Sequence, residues 1–399
     1  MKAAIVSIYP PIHQKHSNAG GVASYSKNLV SNLASNLKIT VIADKINGNE
    51  DYLETNNIYV KRCWDKGLFY PLQIARVIFE DKKGVDVVHI QHEFFLYGKS
   101  LSAGIFPLML LLIRFIKPIV VTFHGVIPLS KINNEFLKEN GFSGNSYILK
   151  LGLYTIIKLS SFFINRIIVH EKSFKQILCN DYGISSRKID IIPHGIESRN
   201  DKKDADEAKN SIGLKNKCII LFMGYLTGYK GLDLLIDAFE HIKKQQDLIL
   251  LIVGGEHPRL KDDRKYLQYI KKIRSKAKAI SDNIIFTGFA QENEIPIYFS
   301  AADVVVFPYT IAMSSSGPMS MAIAYEKPII VSQEIKASLG LNELAFKRNP
   351  KDLAKKIEEL INSDELKEKA ILRAKDLRIE RYWETIAKNH EIVYLEATA

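Results

Sequence analysis

KIDIIPHGIESRNDKKDADEAKNSIGLKNKCIILFMG, residues 188 to 224, decides how the chain divides. KIDIIPH (188 to 194) and CIILFMG (218 to 224) are short β-branched apolar runs, the composition of a strand. Between them SRNDKKDADEAKNSIGLKNK (198 to 217) is abruptly polar and holds no strand. An alternation that stops and then restarts marks a boundary between two units.

Working outward, the front half repeats strand and helix-length segment: AAIVSIY (3 to 9), KITVIA (38 to 43), NIYVKR (57 to 62), VDVVHIQ (85 to 91), PIVVTFH (118 to 124) and RIIVH (166 to 170). The rear half does the same with LILLIVGG (248 to 255), NIIFTGF (283 to 289), DVVVFPY (303 to 309) and KPIIVSQE (327 to 334). Several runs are almost wholly apolar, as parallel strands covered on both faces must be. The expected class is α/β: two doubly wound Rossmann-like domains facing each other across a cleft. Their spans are 1 to 195 and 196 to 375. From about residue 350 the chain turns charged and helical, with Trp383, Ile386, His390 and Val393 at helical spacing. That last helix, about 376 to 399, is expected to pack back on the first domain.

A chain of 399 residues, 47% hydrophobic and 25% charged, is ordinary globular material with room for two full cores. Cys63, Cys179 and Cys218 stand far apart without a CxxC, which argues against a disulfide scaffold or zinc knuckle and for a reducing, cytoplasmic compartment. The net charge of +11 is uneven, with +9 in residues 1 to 190 and +2 in the rest. Such a field suits phosphorylated substrates or an anionic membrane surface. No zinc finger, RNP pattern or basic heptad is present, so nucleic acid is not an expected partner. MKAAIVSIYPP reads as the first strand, not a secretion signal. Leu101 to Ile113 is apolar but too short to span a bilayer, and Tyr147 to Asn165 is broken by Lys150 and Lys158. Flanked by Arg114, Lys117, Lys150, Lys158 and Arg166, these two stretches fit either buried core helices or a surface resting peripherally on the cytoplasmic membrane face.

In open parallel sheets, ligands sit beyond the carboxyl ends of the strands. After the first strand come Asn18-Ala19-Gly20-Gly21 and a predicted helix, Val22 to Asn36. Two glycines at a helix start let backbone N–H groups approach an anion, or simply permit a tight turn. The pattern is not GxGxxG, which disfavours a nicotinamide cofactor. His89, His92, His124, His170 and His194 all fall at or just past strand ends. His89-x-x-His92-Glu93 lacks the helical spacing of a zinc HExxH, so no metal is expected there. Gly224-Tyr225-Leu226-Thr227-Gly228-Tyr229-Lys230-Gly231 sets one lysine at a glycine-lined helix start, where a phosphate would sit. Thr310 to Pro318 carries Ser314, Ser315, Ser316 and Gly317 ahead of a helix predicted over Met319 to Tyr325. Ser316 or Gly317 fits the cap and Pro318 the first turn, giving hydroxyls and free N–H groups suited to an anion.

Read in order, GG after the first strand, TFHG, IIPHGIE, GYLTGYKG, LLIVGG, IIFTGF, SAADVVVFPY and AIAYEKPII resemble the retaining nucleotide-sugar glycosyltransferases of family 4, with the GT-B fold. The resemblance runs from Met1 to about Glu334. It implies transfer of a hexose, of mannose or glucose type, from a nucleotide-diphosphate sugar to a glycan or lipid-linked acceptor. The family retains configuration and works without a metal or other cofactor. It further implies that the rear domain holds the donor and the front domain the acceptor. By motif, His124 and Lys230 would be catalytic, His124 facing the transferred sugar and Lys230 neutralising the departing diphosphate. Gly20, Gly21, Gly224, Tyr225, Gly254, Gly255, Phe289 and Ser314 to Met319 would hold the donor. His89, His92 and Glu93, at the acceptor side, would meet the acceptor.

The family's pattern also has an arginine just after the first glycine of GYLTGYKG, where Tyr225 stands. Two glutamates separated by seven residues are replaced by Met313 and Met321. Because of these departures, a non-catalytic sugar-nucleotide or glycan-binding protein and a sugar-nucleotide epimerase stay open as alternatives. Arg259, in the loop after Gly254-Gly255, is expected to stand in for the missing arginine. Removing one charge-assisted hydrogen bond costs roughly 10- to 100-fold. Titration of Arg259→Ala with donor should therefore show affinity lowered by at least about 10-fold, and unchanged affinity and turnover would refute the substitution.

Overall fold

In the computed structural model the described residues are 1–12, 21–46, 50–98, 100–139, 144–199, 201–243, 247–257, 260–311, 316–340 and 342–399. The front half builds an eight-stranded sheet from β1 (Lys2–Ser7), β2 (Lys38–Asp44), β3 (Tyr52–Thr55), β4 (Ile58–Trp64), β5 (Val87–His92), β6 (Ile119–Phe123), β7 (Arg166–Val169) and β8 (Ile189–Ile191). Its order is β3-β4-β2-β1-β5-β6-β7-β8, parallel except for the β3–β4 hairpin at one edge. The rear half builds a six-stranded parallel sheet from β9 (Cys218–Met223), β10 (Leu248–Val253), β11 (Ile284–Gly288), β12 (Val304–Phe307), β13 (Ile329–Ser332) and β14 (Ala345–Phe346), in the order β11-β10-β9-β12-β13-β14. Two sheets with helical crossovers are the expected doubly wound pair.

Burial explains the strand sequences. Every residue of β5 and β10 is buried, so each face of those strands meets a helix layer and neither can alternate polar with apolar. β3 and β14, which the strand pattern does not reveal, are short edge strands, and β3 alternates half-buried with exposed. The Trp383–Thr398 helix packs on the Gly21–Leu33 helix, as expected of a tail that returns to the first sheet. Its Trp383, Ile386, Val393 and Tyr394 share a core with Ile5, Leu29 and Val41.

Both sheets reverse their winding once, between β1 and β5 in the first and between β9 and β12 in the second. Crevices open where crossovers diverge to opposite faces, and these two switch points locate the places a ligand can enter. The polypeptide passes between the sheets twice, and the passages touch: Ile196 N–H donates to Arg381 O at 2.7 Å, and Trp383 lies against Gly195.

At the second switch point Gly231 caps the Leu232–Ile242 helix in the left-handed region, φ 68°, and a Cβ there would lie 2.0 Å from Pro308 O. Gly152, inside the Ser146–Phe163 helix, would meet nothing within 4 Å. Gly231→Ala should cost about 3 kcal/mol and lower the rear unit's melting temperature by roughly 6–12 °C. Gly152→Ala should raise stability by up to about 1 kcal/mol. Thermal denaturation of both variants checks the contrast in sign.

Candidate active site

The rear switch point is made of backbone brought unusually close. Gly224 (φ 140°) follows β9 and Gly254 (φ 147°) follows β10, and a Cβ on Gly254 would lie 1.9 Å from Gly224 O. Lys230 ends the single 3-10 turn Gly228–Lys230 and is only 7% exposed. Its Nζ lies 2.6 Å from where a Gly224 Cβ would be, so the missing side chain is what makes room for the ammonium. The same nitrogen sits 5.3 Å from the centroid of the Tyr309 ring. Among the described residues no carboxylate reaches Lys230 within ion-pair distance. A buried cation without a counter-charge is costly unless an anion arrives to meet it.

Tyr309 ties this lysine to the serine turn. Its hydroxyl lies 2.9 Å from Ser316 Oγ, and Ser316 Oγ accepts from Met319 N at 3.2 Å, capping the Gly317–Ala324 helix with Pro318 in its first turn. Of the two cap candidates, Ser316 is the one used. Burial raises the Tyr309 pKa, which keeps its phenol protonated. Lys230 and Ser316 therefore flank one aromatic ring, with the exposed Gly317 backbone opening the helix N-terminus beside them. Met319 contributes its N–H, already taken by the cap, while its side chain enters the core. Gly20, Arg259, Ser314 and Ser315 lie outside the described residues.

Tyr225 and Phe289 form an open aromatic shelf at the other side of β9, with ring centroids 5.8 Å apart. A Cβ on Gly255 would strike the Phe289 ring at 2.4 Å, so that glycine admits the ring. His257, which the motifs do not single out, joins the shelf 4.9 Å from Tyr225. Tyr266 steadies the loop, its hydroxyl accepting from His257 N and donating to Leu226 O.

In the front half Gly21 opens the Gly21–Leu33 helix, and nothing lies within 4 Å of its would-be Cβ. His124, just past β6, has both ring nitrogens engaged: Nε2 lies 2.8 Å from the Gln91 side-chain amide and Nδ1 3.2 Å from His170 Nε2. His170 Nδ1 faces the Ile192 carbonyl at 2.9 Å. Gln91 Oε1 and the Ile192 carbonyl can only accept, so neutral His124 donates from Nε2 and neutral His170 donates from Nδ1, which leaves His124 Nδ1 and His170 Nε2 facing each other unprotonated. His124, which the resemblance sets against the transferred sugar, thus turns both ring nitrogens toward side chains of the front half.

His89 and His92 are likewise enclosed. His89 meets Tyr394 OH at 2.6 Å and Thr122 Oγ1 at 2.7 Å beneath the C-terminal helix. His92 is packed among Phe94, Phe106 and Phe123. Neither reaches an open surface, so both belong to the interior of the first unit, while Glu93, half-buried in the loop after β5, stays at the rim.

The two halves meet beside these imidazoles. His194 Nδ1 lies 3.4 Å from Ser320 Oγ of the Gly317–Ala324 helix, and the Tyr25 ring lies 5.2 Å from His194. Asn28 Nδ2 donates to Glu197 at 2.6 Å, and Arg199 Nη2 contacts Met321 Sδ at 3.3 Å. Glu197 closes the IIPHGIE motif, whereas Tyr25, Asn28, Arg199 and Ser320 lie outside every motif because none sits directly after a strand. Among the described residues no group of three or more His, Cys, Asp or Glu is arranged to hold a metal ion.

Two family models cover nearly the whole chain: Glycosyltransferase Family 4 over residues 19–199 and Glycosyl transferases group 1 over residues 204–377. The chain belongs to glycosyltransferase family 4. An uncharacterized glycosyltransferase of Methanocaldococcus jannaschii is 26% identical over 255 residues, which are 59% of this chain and 61% of that protein. The chain thus spans about three fifths of that curated relative, and under a third of two others. Sucrose-phosphate synthase from Thermosynechococcus elongatus has the same fold at a TM-score of 0.76 and 16% identity, over 99% of this chain and 98% of that one. Anabaena HepE, solved in complex with UDP and glucose, matches at a TM-score of 0.70 and 16% identity, over 98% and 99% of the two chains. The GT-B arrangement expected from the motifs is therefore the fold of this family member.

Burial holds every imidazole of the front cluster below its ordinary pKa, His92 and His170 down to about 3 and His390 to about 4, with His89 and His124 lowered as well. The folded state then binds fewer protons than the unfolded chain below pH 6.5. Stability is complete above that value and is lost as pH falls from 6.5 toward 3, each histidine contributing a slope of about 1.4 kcal/mol per pH unit. Melting temperatures should be flat from pH 7 to 8.5 and fall steeply below 6.5. A melting temperature unchanged down to pH 5 would contradict neutral, interior histidines.

Proposed function

We propose that this family 4 member transfers a hexose, of mannose or glucose type, from a nucleotide-diphosphate sugar to a glycan or lipid-linked acceptor with retention of configuration. In this reading residues 196 to 375 hold the donor, and residues 1 to 195 with about 376 to 399 present the acceptor. The protein then works in the cytoplasm against an anionic membrane surface. The observation that carries the reading is Lys230, buried over the Gly224 backbone with no carboxylate beside it among the described residues.

Cleaving the anomeric C–O bond puts negative charge on the departing diphosphate and positive charge on the sugar ring. Fixed positive potential at the leaving group is the largest help available to such a step. The Lys230 ammonium and the N-terminus opened at Gly317 supply it from two directions around Tyr309. The acceptor hydroxyl attacks C1 from the face the phosphate leaves, and the leaving phosphate oxygen takes its proton. The Tyr225–Phe289 shelf, with His257, receives the base by stacking. Gly21 approaches the phosphates from the front half, and by motif Gly20, Ser314 and Ser315 are assigned to the same phosphates and Arg259 to the charge missing at Tyr225. His124 acts as a positioning residue, its ring held by Gln91 and His170 against Tyr25.

Met321 favours a second reading. A thioether beside Arg199 stands where the family places an acid, as in a protein that binds sugar nucleotides without turning them over. Incubation with UDP- and GDP-hexoses separates the readings. Acceptor-dependent release of nucleoside diphosphate supports transfer, binding without release supports the second reading, and interconversion of sugar epimers marks an epimerase. For the transferase, Lys230→Met should lower kcat by roughly 10²- to 10³-fold, as loss of a transition-state charge contact does, with melting temperature held or raised. Turnover within threefold of the parent would remove Lys230 from the mechanism.

A further inference from the structure

The apolar stretches that the sequence leaves between core and surface are neither wholly one nor the other. Three helices, Tyr70–Glu80, Phe106–Arg114 and Ser146–Phe163, lie side by side on one face of the first sheet. Their inner residues fill the core: Ile74, Met109, Leu110 and Ile157 are buried. Many of their outer residues are large and apolar where a solvated helix layer would be polar, although the first helix also carries the exposed Arg76–Glu80 ion pair. On the Ser146–Phe163 helix Tyr147, Ile148 and Phe162 are 71%, 70% and 66% exposed, with Leu151 and Leu159 between them at helical spacing. Phe69 and Leu72 continue the patch on the first helix, and Phe115 ends the second at 84% exposure. A solvent-facing stripe of this kind is an interaction surface.

We infer that this face docks on an anionic lipid bilayer, lying on it without crossing it. Charge selects the occupant. From Phe94 to Asn134 and from Asn140 to His170 the sequence contains no Asp or Glu and seven Lys or Arg. Arg114 and Lys150 stand exposed among the apolar residues. A second copy of the chain, meeting this face about a two-fold axis, would set those cations against each other, and Glu80, the one carboxylate in the three helices, is already paired with Arg76 and Lys61. Anionic headgroups neutralise them while the acyl boundary takes the aromatic and aliphatic side chains. No helix among the described residues is long and apolar enough to cross a membrane.

The orientation is useful as well. Helices in a parallel sheet run opposite to the strands, so Phe69, Leu72, Tyr147, Ile148 and Leu151 gather at the carboxyl edge. Phe106, opening its helix 4.4 Å from His92 at the end of β5, confirms the direction. This is the edge that carries Gly21 and His124. Docked through it, the front unit meets the bilayer beside its own crevice, where a lipid-linked acceptor enters sideways. This last step rests on the proposed function; the docking itself does not.

Flotation of the full chain with phosphatidylglycerol–phosphatidylcholine vesicles and with phosphatidylcholine alone tests the inference. Binding should require the anionic lipid and fall severalfold between about 0.05 and 0.5 M salt. The triple variant Tyr147→Glu, Ile148→Glu, Leu151→Glu should lose at least tenfold in binding. Its melting temperature, and the rise in it on adding UDP or GDP, should match the parent's. Absence of flotation, or a triple variant that floats like the parent, overturns the docking. So does a concentration-dependent dimer that the triple variant abolishes, since a second copy would then own the face. Flotation without any nucleotide-induced rise overturns the transferase reading and leaves the docking standing.

Discussion

A lysine ammonium held over bare glycine backbone is the constraint around which the rear unit is organised. Any side chain at Gly224 would occupy the place of Lys230 Nζ, and any side chain at Gly254 would collide with the Gly224 carbonyl. Gly231 must adopt a left-handed conformation to start the next helix against Pro308. Three glycines from two crossovers therefore close one small volume. Tyr309 then roofs it and passes a hydrogen bond to the cap of the following helix. Burying the charge in this way opposes folding, and the opposition is relieved when a phosphate supplies the missing negative charge.

The front unit answers with the reverse electrostatics. Its edge is lined by imidazoles, yet burial keeps them uncharged, and the nitrogens of His89, His124 and His170 are spent on one another and on Gln91, Tyr394, Thr122 and the Ile192 carbonyl. Such a wall is polar in its bonding and neutral in its charge. It fixes geometry without competing for the diphosphate. The C-terminal helix completes it, since Tyr394 and His390 reach the cluster from more than three hundred residues away in sequence. The unit assigned to the acceptor thus depends on chain that has passed through the other unit and returned.

Much of this architecture is legible in the residues alone, because doubly buried parallel strands must be apolar on both faces and helix starts need caps. Ser316 and Pro318 announce their helix by chemistry that is local. For the histidines the pattern places the strand ends and leaves their burial unread. His89 sits within β5, and whether its ring meets solvent depends on the returning helix, which no local pattern encodes. β3 and β14 escape because two to four residues at an edge carry too few apolar positions to register. Tyr25, Asn28 and Ser320 lie inside helices and enter the crevice only when the two sheets are set face to face. The outer faces of the second and third front helices are ambiguous for a different reason: a helix apolar on most of its circumference reads the same whether its second face meets protein or lipid.

Diphosphate recognition is the central event, and calorimetric titration with a nucleoside, its monophosphate and its diphosphate, in the uridine and guanosine series, measures it directly. Affinity should climb at least about 100-fold from nucleoside to diphosphate for the preferred base, with the larger share of the gain lost at high salt. Equal affinity for all three ligands would mean that the pocket reads the base and leaves the phosphates in solvent, which would contradict a buried lysine that grips the diphosphate.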